Sequence, residues 1–213
     1  GLFEQRTHPT EGTIRSVRPT ANFSETPLRI RRDAPALGAD SSALLREAGL
    51  DTLPGGGAET FSAAVREQIA DKKLGGADYI GVHRVAHQLG IRSNCTMLYG
   101  HVETLADRVE HLRMLRELQD ETGGFLAYIP LAYHPDDNEL GKQLDRQGRG
   151  TTGFDDLRML AVGRLYLDNF AHVKSHWIMV TPALSQVALA FGVNDLEGTV
   201  VREKIYHAVG AQT

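Results

Sequence analysis

Polar side chains gather in this sequence where apolar runs end. The apolar run before the Gly-rich turn LPGGGAE (residues 53–59) ends there, and the run IRSNCTMLY is followed by His101 and Glu103. A third run, FLAYIPLAY, is followed by His134. Histidines and carboxylates are the side chains that most often transfer protons or orient a substrate. Their placement predicts a site where several strands end.

The Gly-rich turn has two interpretations. Gly56 and Gly57 permit positive φ and the close approach of a ligand to the backbone, and Glu59 could then accept hydrogen bonds from a ligand amine or hydroxyl. Alternatively, the segment is a tight strand-to-helix turn with a glutamate in the first helical turn. It is not a nucleotide P-loop, because no Gly-Lys-Ser/Thr follows.

The strand that precedes His101 carries two polar residues on one face. Asn94 and Thr96 are two positions apart, so on a strand they point the same way and Cys95 points to the opposite face. Polar groups inside a sheet are costly unless they are hydrogen-bonded. Contact with a polar ligand and bonds to neighbouring strands are both open, whereas Cys95 is expected to be a structural residue of the helical layer.

His83 and His87 are four positions apart on one predicted helix, which is a spacing seen in zinc sites. No glutamate follows His83 as the metalloprotease motif requires, and no third ligand is evident. We therefore predict no metal site formed by these residues.

The elements that position these residues alternate between strand and helix, which predicts parallel βα units. Thr104 with Asp107 and Thr152 with Asp155 form capping-box patterns that predict two helix starts. Predicted strands lie at 50–54, 91–99, 125–131 and 172–180. A closed parallel barrel needs eight strands, so the predicted fold is α/β, a partial barrel, and we expect the chain to be part of a longer protein.

Composition narrows the class of protein further. The chain has 213 residues, a net charge of −4 and one cysteine, so it lacks the basic footprint of a protein that binds nucleic acid. No apolar run approaches the ~20 residues of a membrane span, and we expect a cytoplasmic protein. Residues 1–42 contain four of the eight prolines and no lysine. We predict that residues 1–42 are mostly irregular and that 43–213 form the folded part.

From about residue 43 onward the chain resembles aminofutalosine synthase, a radical S-adenosylmethionine enzyme of the futalosine route to menaquinone. The motifs that carry the resemblance are LPGGGAE, HRVAHQLGIRSNCTMLYGHVET, LRELQDETGGF, IPLAYHP, TGFDDLRMLAV and GTVVREKIYHAVGA. The sister family, dehypoxanthine futalosine cyclase, shares GGGAE and LRELQDETGGF but is less similar around RSNCTMLYGH and IPLAYHP.

The resemblance implies the C-terminal half of a TIM-like radical-SAM barrel, with S-adenosylmethionine and a 4Fe–4S cluster as cofactors. The implied reaction adds a 5′-deoxyadenosyl radical to 3-[(1-carboxyvinyl)oxy]benzoate, a small-molecule substrate. The residues expected to bind the cofactor are Gly56, Gly57, Glu59, Asn94 and Thr96. Those expected to bind the substrate are His101, Glu103 and His134, and Arg92 or Arg158 could supply a bidentate contact to a carboxylate.

The sequence departs from the family in one respect that matters for the chemistry. The family holds its cluster with a Cys-x3-Cys-x2-Cys loop, whereas this chain has Cys95 alone, which cannot hold a cluster. We therefore expect the chain by itself to be inactive. The alternatives are a cyclase-like radical enzyme, a truncated non-catalytic product, and a cluster-free barrel enzyme that uses its strand-end histidines as acids and bases.

Overall fold

The computed structural model describes residues 3–8, 12–17, 47–146, 150–198 and 208. The chain divides into two compact units, Gly1–Gly49 and Leu50–Thr213, and each is described by itself. In the first unit, β1 (Phe3–His8) pairs with β2 (Gly12–Val17) as an antiparallel hairpin. Residues 1–42 therefore contain one hairpin among the described residues, and the expectation that they are mostly irregular stays a prediction. The predicted boundary after residue 42 lies outside the described residues.

The second unit contains a five-stranded sheet in which strands next to each other in the chain are also neighbours in space. The strands are β3 (Thr52–Leu53), β4 (Arg92–Tyr99), β5 (Phe125–Ala132), β6 (His172–Ser175) and β7 (Asp195–Leu196). Every pair is parallel. Sequential parallel order is the order of strands in a TIM barrel, so the prediction of a partial TIM-like α/β fold is confirmed.

Helices connect these strands. They are α1 (Ala63–Ile69), α2 (Gly76–Gln88), α3 (Leu105–Thr122), α4 (Glu139–Gln143), α5 (Gly153–Tyr166), α6 (Trp177–Val180) and α7 (Pro182–Ala188). Both predicted capping boxes are present, at Thr104 and Thr152, and Gly123 ends α3 in the left-handed conformation. The signals that start α3 and α5, and the glycine that ends α3, therefore lie next to these helices in the sequence.

The core lies between the central strands and the helices. Cys95, Met97 and Tyr99 alternate along β4 and are buried in the same apolar cluster as Leu112 and Leu115 of α3. The run that forms β5 is almost continuously buried, as expected for a parallel strand that is covered on both faces. Among the described residues, no helix combines the length and the apolar character needed to cross a bilayer.

The strand predicted at 172–180 is wrong in its second half. Only His172–Ser175 pairs in the sheet, and Trp177–Val180 forms a helical turn that leads into α7. Ile178, Met179 and Val180 are buried in this turn. Burial of a short apolar run does not distinguish a strand from a helix, so hydrophobicity alone gave the wrong element.

Candidate functional site

A cleft of about 510 Å³ opens at the carboxyl ends of the strands, and we name it the Glu59 cleft. Glu59 and Lys73 come from the connections after β3 and after α1, and His134 follows β5. Its apolar lining comes from Ile69, Leu98, Ala132, Leu140 and Met179, and its remaining polar lining from Gln68, His101, Tyr133, Asn138, Glu139 and Gln143. Glu59, His101 and His134, three of the predicted site residues, therefore border one cleft, and their ligand roles stay predictions.

The Gly-rich turn is fastened to the sheet at Gly55, which the sequence analysis did not single out. A Cβ at this position would lie 2.6 Å from the backbone of Asn94, so only glycine permits the close approach. The Gly55 carbonyl accepts hydrogen bonds from Tyr79 Oη (2.8 Å) and Thr96 Oγ1 (2.6 Å). Burial raises the pKa of Tyr79 above its usual value, so Tyr79 donates as a neutral phenol.

The two glycines predicted to contact the cofactor lie away from the cleft lining. Gly56 is exposed, and Gly57 has a φ of 92°, a conformation that favours glycine. No protein atom lies within 4 Å of a Cβ built at either position. The backbone requirement explains Gly57, and the cofactor role of both residues stays a prediction.

Glu59 is held in the left-handed region, with a φ of 46°. Its carbonyl accepts a hydrogen bond from the Leu98 amide (2.7 Å), which ties it to β4. Its carboxylate pairs with the Lys73 ammonium, and the two side chains are 17% and 54% exposed. Sequence reasoning missed Lys73, because nothing in the local sequence separates it from its neighbour Lys72.

Asn94 and Thr96 do not line the Glu59 cleft. The Thr96 side chain is buried and uses its hydroxyl on the Gly55 carbonyl. Asn94 lies half-buried at an irregularity in the pairing of β4 with β5. Cys95 is fully buried, and burial raises the pKa of its thiol, which makes it an inert core residue as expected. The hydrogen bond of Thr96 agrees with the sheet-internal interpretation, and its cofactor role stays a prediction.

His101 and Glu103 form a buried group behind the cleft. The side chains of both residues have no exposed surface. The Glu103 carboxylate accepts hydrogen bonds from the amides of Gly100 (2.6 Å) and His101 (2.9 Å) and from Arg108 Nε (2.9 Å). In this conformation Glu103 fixes the loop after β4, His101 borders the Glu59 cleft, and the substrate role of both residues stays a prediction.

The His101 ring lies between two acceptors. Nε2 is 3.1 Å from the Leu98 carbonyl, and Nδ1 lies 3.0 Å from Glu103 Oε2 without hydrogen-bond geometry. Burial lowers the pKa of His101, and the Glu103 carboxylate opposes this by favouring the charged ring. The ring therefore carries its proton on Nε2 and donates to Leu98.

His134 lies in the wall between the Glu59 cleft and a second cleft of about 420 Å³. Its Nε2 donates to the Met179 carbonyl (2.9 Å), which leaves Nδ1 for another contact. The second cleft also contains Asp156, whose carboxylate accepts a hydrogen bond from Tyr99 Oη (2.7 Å). Burial raises the pKa of Asp156.

Neither arginine offered as a carboxylate contact reaches these clefts. Arg92 begins β4 and therefore lies at the amino end of the sheet. Arg158 bonds to Asp155 (3.0 Å), and its guanidinium lies over the Phe154 ring. The interpretation of Arg92 or Arg158 as the substrate carboxylate ligand is therefore not supported by their positions.

His83 and His87 lie at the amino ends of the strands, away from the clefts. Both rings bond to the buried Ser93 hydroxyl at 2.7 Å, through Nδ1 of His83 and Nε2 of His87. The second nitrogen of His87 lies 2.8 Å from Thr122 Oγ1. Through these contacts, the two histidines join α2 to the sheet.

The order of the strands defines a barrel-type α/β protein with a cleft at the carboxyl ends of its strands. Residues 122–213 match the family model described as the CofH/MqnC C-terminal region. That part of the chain is therefore similar to the CofH/MqnC C-terminal region, and the resemblance to aminofutalosine synthase is confirmed by the relatives that follow.

Over 169 residues the chain is 54% identical to the aminodeoxyfutalosine synthase of Thermus thermophilus, covering 79% of this chain and 45% of that relative. It is 45% identical to the aminodeoxyfutalosine synthase of Streptomyces coelicolor, covering 76% and 43%. It is 43% identical to the 5-amino-6-(D-ribitylamino)uracil–L-tyrosine 4-hydroxyphenyl transferase 1 of Methanosarcina barkeri, covering 78% and 45%. The chain thus spans slightly less than half the length of these relatives.

Proposed function

We propose that this chain forms the substrate-facing part of an aminofutalosine synthase-type transferase of menaquinone biosynthesis, with the Glu59 cleft as its small-molecule site. The observation that carries the proposal is that Glu59 after β3 and His134 after β5 border one cleft. The identity of 54% and 45% to two aminodeoxyfutalosine synthases supports the reaction class. The cytoplasmic location expected from composition stays a prediction.

Different residues of the cleft contact different parts of the ligand. Glu59 accepts hydrogen bonds from the amine or hydroxyl groups of S-adenosylmethionine, because its carboxylate is partly exposed and fixed by its backbone. Ile69, Leu98 and Met179 give an apolar wall that holds a ring and excludes water. His134, oriented by the Met179 carbonyl, presents its remaining nitrogen as a hydrogen-bond acceptor. Bound S-adenosylmethionine supplies the 5′-deoxyadenosyl group of the reaction.

The residues of this chain do not fit a 4Fe–4S cluster. Cys95 is the one cysteine, it is fully buried, and its nearest polar contact is the Ala127 carbonyl at 3.6 Å. A cubane needs several thiolate ligands. We expect the chain, reconstituted with iron and sulfide, to bind no stoichiometric cluster and to cleave no S-adenosylmethionine. Cluster absorbance together with deoxyadenosine formation by this chain would contradict that expectation.

A binding experiment tests the proposed site directly. Titrating the full chain with S-adenosylmethionine by calorimetry should give saturable binding, and Glu59→Gln should weaken it about tenfold, since a hydrogen bond to a charged group is worth roughly 1.5–3 kcal/mol. Glu67→Gln is the matched control, because Glu67 is an exposed residue of α1 outside the cleft lining. Equal affinities of the wild type and Glu59→Gln would remove Glu59 from the site.

A further inference from the structure

The Glu59 cleft has one cationic side chain that no motif pointed to. Among its described lining residues, Lys73 is the only lysine or arginine, and the carboxylates are Glu59 and Glu139. The nearby arginines are occupied elsewhere: Arg108 bonds to Glu103, and Arg146 donates to the carbonyls of Gly100 and His101. A carboxylate entering this cleft therefore meets one side chain that carries a full positive charge.

Lys73 is held in place by one contact and keeps other N–H donors available for a ligand. An ammonium has three N–H donors, and the contact with Glu59 Oε1 occupies one of them. The Lys73 side chain is 54% exposed, so its other donors are accessible from solvent. Glu59 is itself fixed by the Leu98 amide. The ion pair thus places the ammonium at the cleft and limits the entropy that it loses when an anion binds.

The rest of the lining indicates what the anion is attached to. Ile69, Leu98, Ala132, Leu140 and Met179 give the cleft a mainly apolar surface, which favours a ligand whose carboxylate is attached to an apolar body. We propose that Lys73 is the carboxylate-binding residue of this cleft and that it takes an apolar, ring-bearing carboxylate. The inference rests on the proposed function in placing the ligand in the Glu59 cleft, but it concerns a different residue and a different ligand group.

Because Glu59 lies next to Lys73, one substitution is expected to strengthen carboxylate binding instead of weakening it. The Glu59 carboxylate attracts the Lys73 ammonium but repels a ligand carboxylate that binds beside it. Removing its charge by Glu59→Gln should therefore tighten the binding of a carboxylate, by about threefold for a partly solvated pair. The same substitution should weaken binding of S-adenosylmethionine, so the two proposals respond to it in opposite directions.

The experiment uses benzoate as the probe and the full chain as the protein. Calorimetry or NMR titration should show saturable binding that Lys73→Met weakens at least tenfold, while Lys72→Met stays within twofold of the wild type. Lys72 is the matched control, because it is the exposed neighbour in sequence and does not line the cleft. Benzamide, a neutral analogue of nearly the same shape, should bind wild type and Lys73→Met equally. Lys73→Arg, which keeps the charge, should restore part of the benzoate affinity.

Each outcome decides the inference. Absence of saturable benzoate binding, equal benzoate affinity of Lys73→Met and wild type, or equal losses in Lys73→Met and Lys72→Met would overturn it. An altered circular dichroism spectrum of Lys73→Met would indicate a folding defect. The test would then use Lys73→Gln, together with the difference between benzoate and benzamide affinity in the wild type. Weaker S-adenosylmethionine binding by Glu59→Gln with unchanged benzoate binding by Lys73→Met would retain the proposed function and reject the role of Lys73.

Discussion

The two ends of the parallel sheet use histidine in opposite ways. At the amino ends of the strands, His83 and His87 share the buried Ser93 hydroxyl and have their polar contacts inside the protein. At the carboxyl ends, His134 uses one nitrogen on the Met179 carbonyl and borders two clefts. Residue type and spacing do not separate His83 and His87 from His134, whereas the end of the sheet at which each lies does.

The hydrogen bonds at the amino ends have a defined direction. Thr122 Oγ1 donates to the Leu118 carbonyl, so it can only accept from His87 Nδ1. Nε2 of the neutral His87 ring then accepts from the Ser93 hydroxyl, and Ser93 in turn accepts from His83 Nδ1. His87 must be neutral for these hydrogen bonds to hold, because its Nε2 accepts from Ser93, whereas His83 donates from Nδ1 in either protonation state and loses stability on protonation through its burial. The group is therefore a stabilising element that depends on pH.

Acid should destabilise the contacts at the amino ends of the strands first, and this should be the largest of the expected effects on stability. Burial lowers the pKa of His83 from 6.5 to about 4, and burial followed by the charge of Arg92 lowers that of His87. The unfolded chain binds these protons at higher pH than the native chain does, so stability is complete above about pH 6.5 and falls as the pH drops towards 4. For His83 alone the loss is roughly 3 kcal/mol, at about 1.4 kcal/mol per pH unit.

Urea unfolding between pH 4 and pH 7 measures this loss. His83→Gln keeps a hydrogen-bonding side chain that does not titrate, so it should flatten the dependence between pH 4 and 6.5. A His83→Gln variant as acid-sensitive as the wild type would show that other groups control the acid limb.

Ser93→Ala should have the next largest effect on stability. It removes the group that both rings contact and leaves two buried ring nitrogens without a partner, at a cost of about 2 kcal/mol. His134→Gln at the other end should cost under about 1 kcal/mol, because the ring is only half-buried. The comparison fails if chemical denaturation finds the two variants equally destabilised.

How much of this could be read from the sequence depends on how local each feature is. The capping boxes of α3 and α5 and the buried run of β5 depend on residues within one element, and the sequence predicted them. The Glu59–Lys73 pair joins residues fourteen positions apart and depends on how the chain returns after α1. The periodicity of hydrophobic residues in the sequence does not predict such a contact.

Glu103 shows a second limit of sequence reasoning. Its position after a strand and the family resemblance predicted that it binds the substrate, which stays a prediction, but neither indicated that its side chain is buried. Its burial depends on Arg108, five positions along, and on two backbone amides that turn towards it after β4. A charged residue compensated in this way is recognised only when the loop is seen in three dimensions.

The smallest stability effect should come from the ion pair at the cleft. Glu59→Gln or Lys73→Met should change the free energy of unfolding by under about 1 kcal/mol, because partly exposed ion pairs contribute little. The same variants should change ligand affinity severalfold. Chemical denaturation of both variants checks the first statement, and a loss above 2 kcal/mol would give the pair a mainly structural role.

The most direct test of the account is to map where a ligand binds. We expect ¹⁵N NMR titration of the full chain with S-adenosylmethionine to shift amide signals around Glu59, Lys73 and His134 and to leave those of Ser93 and His87 unchanged. That result would place the site at the carboxyl ends of the strands. Shifts confined to the region of Ser93 and His87, or no saturable shifts at any residue, would contradict the assignment of the Glu59 cleft as the ligand site.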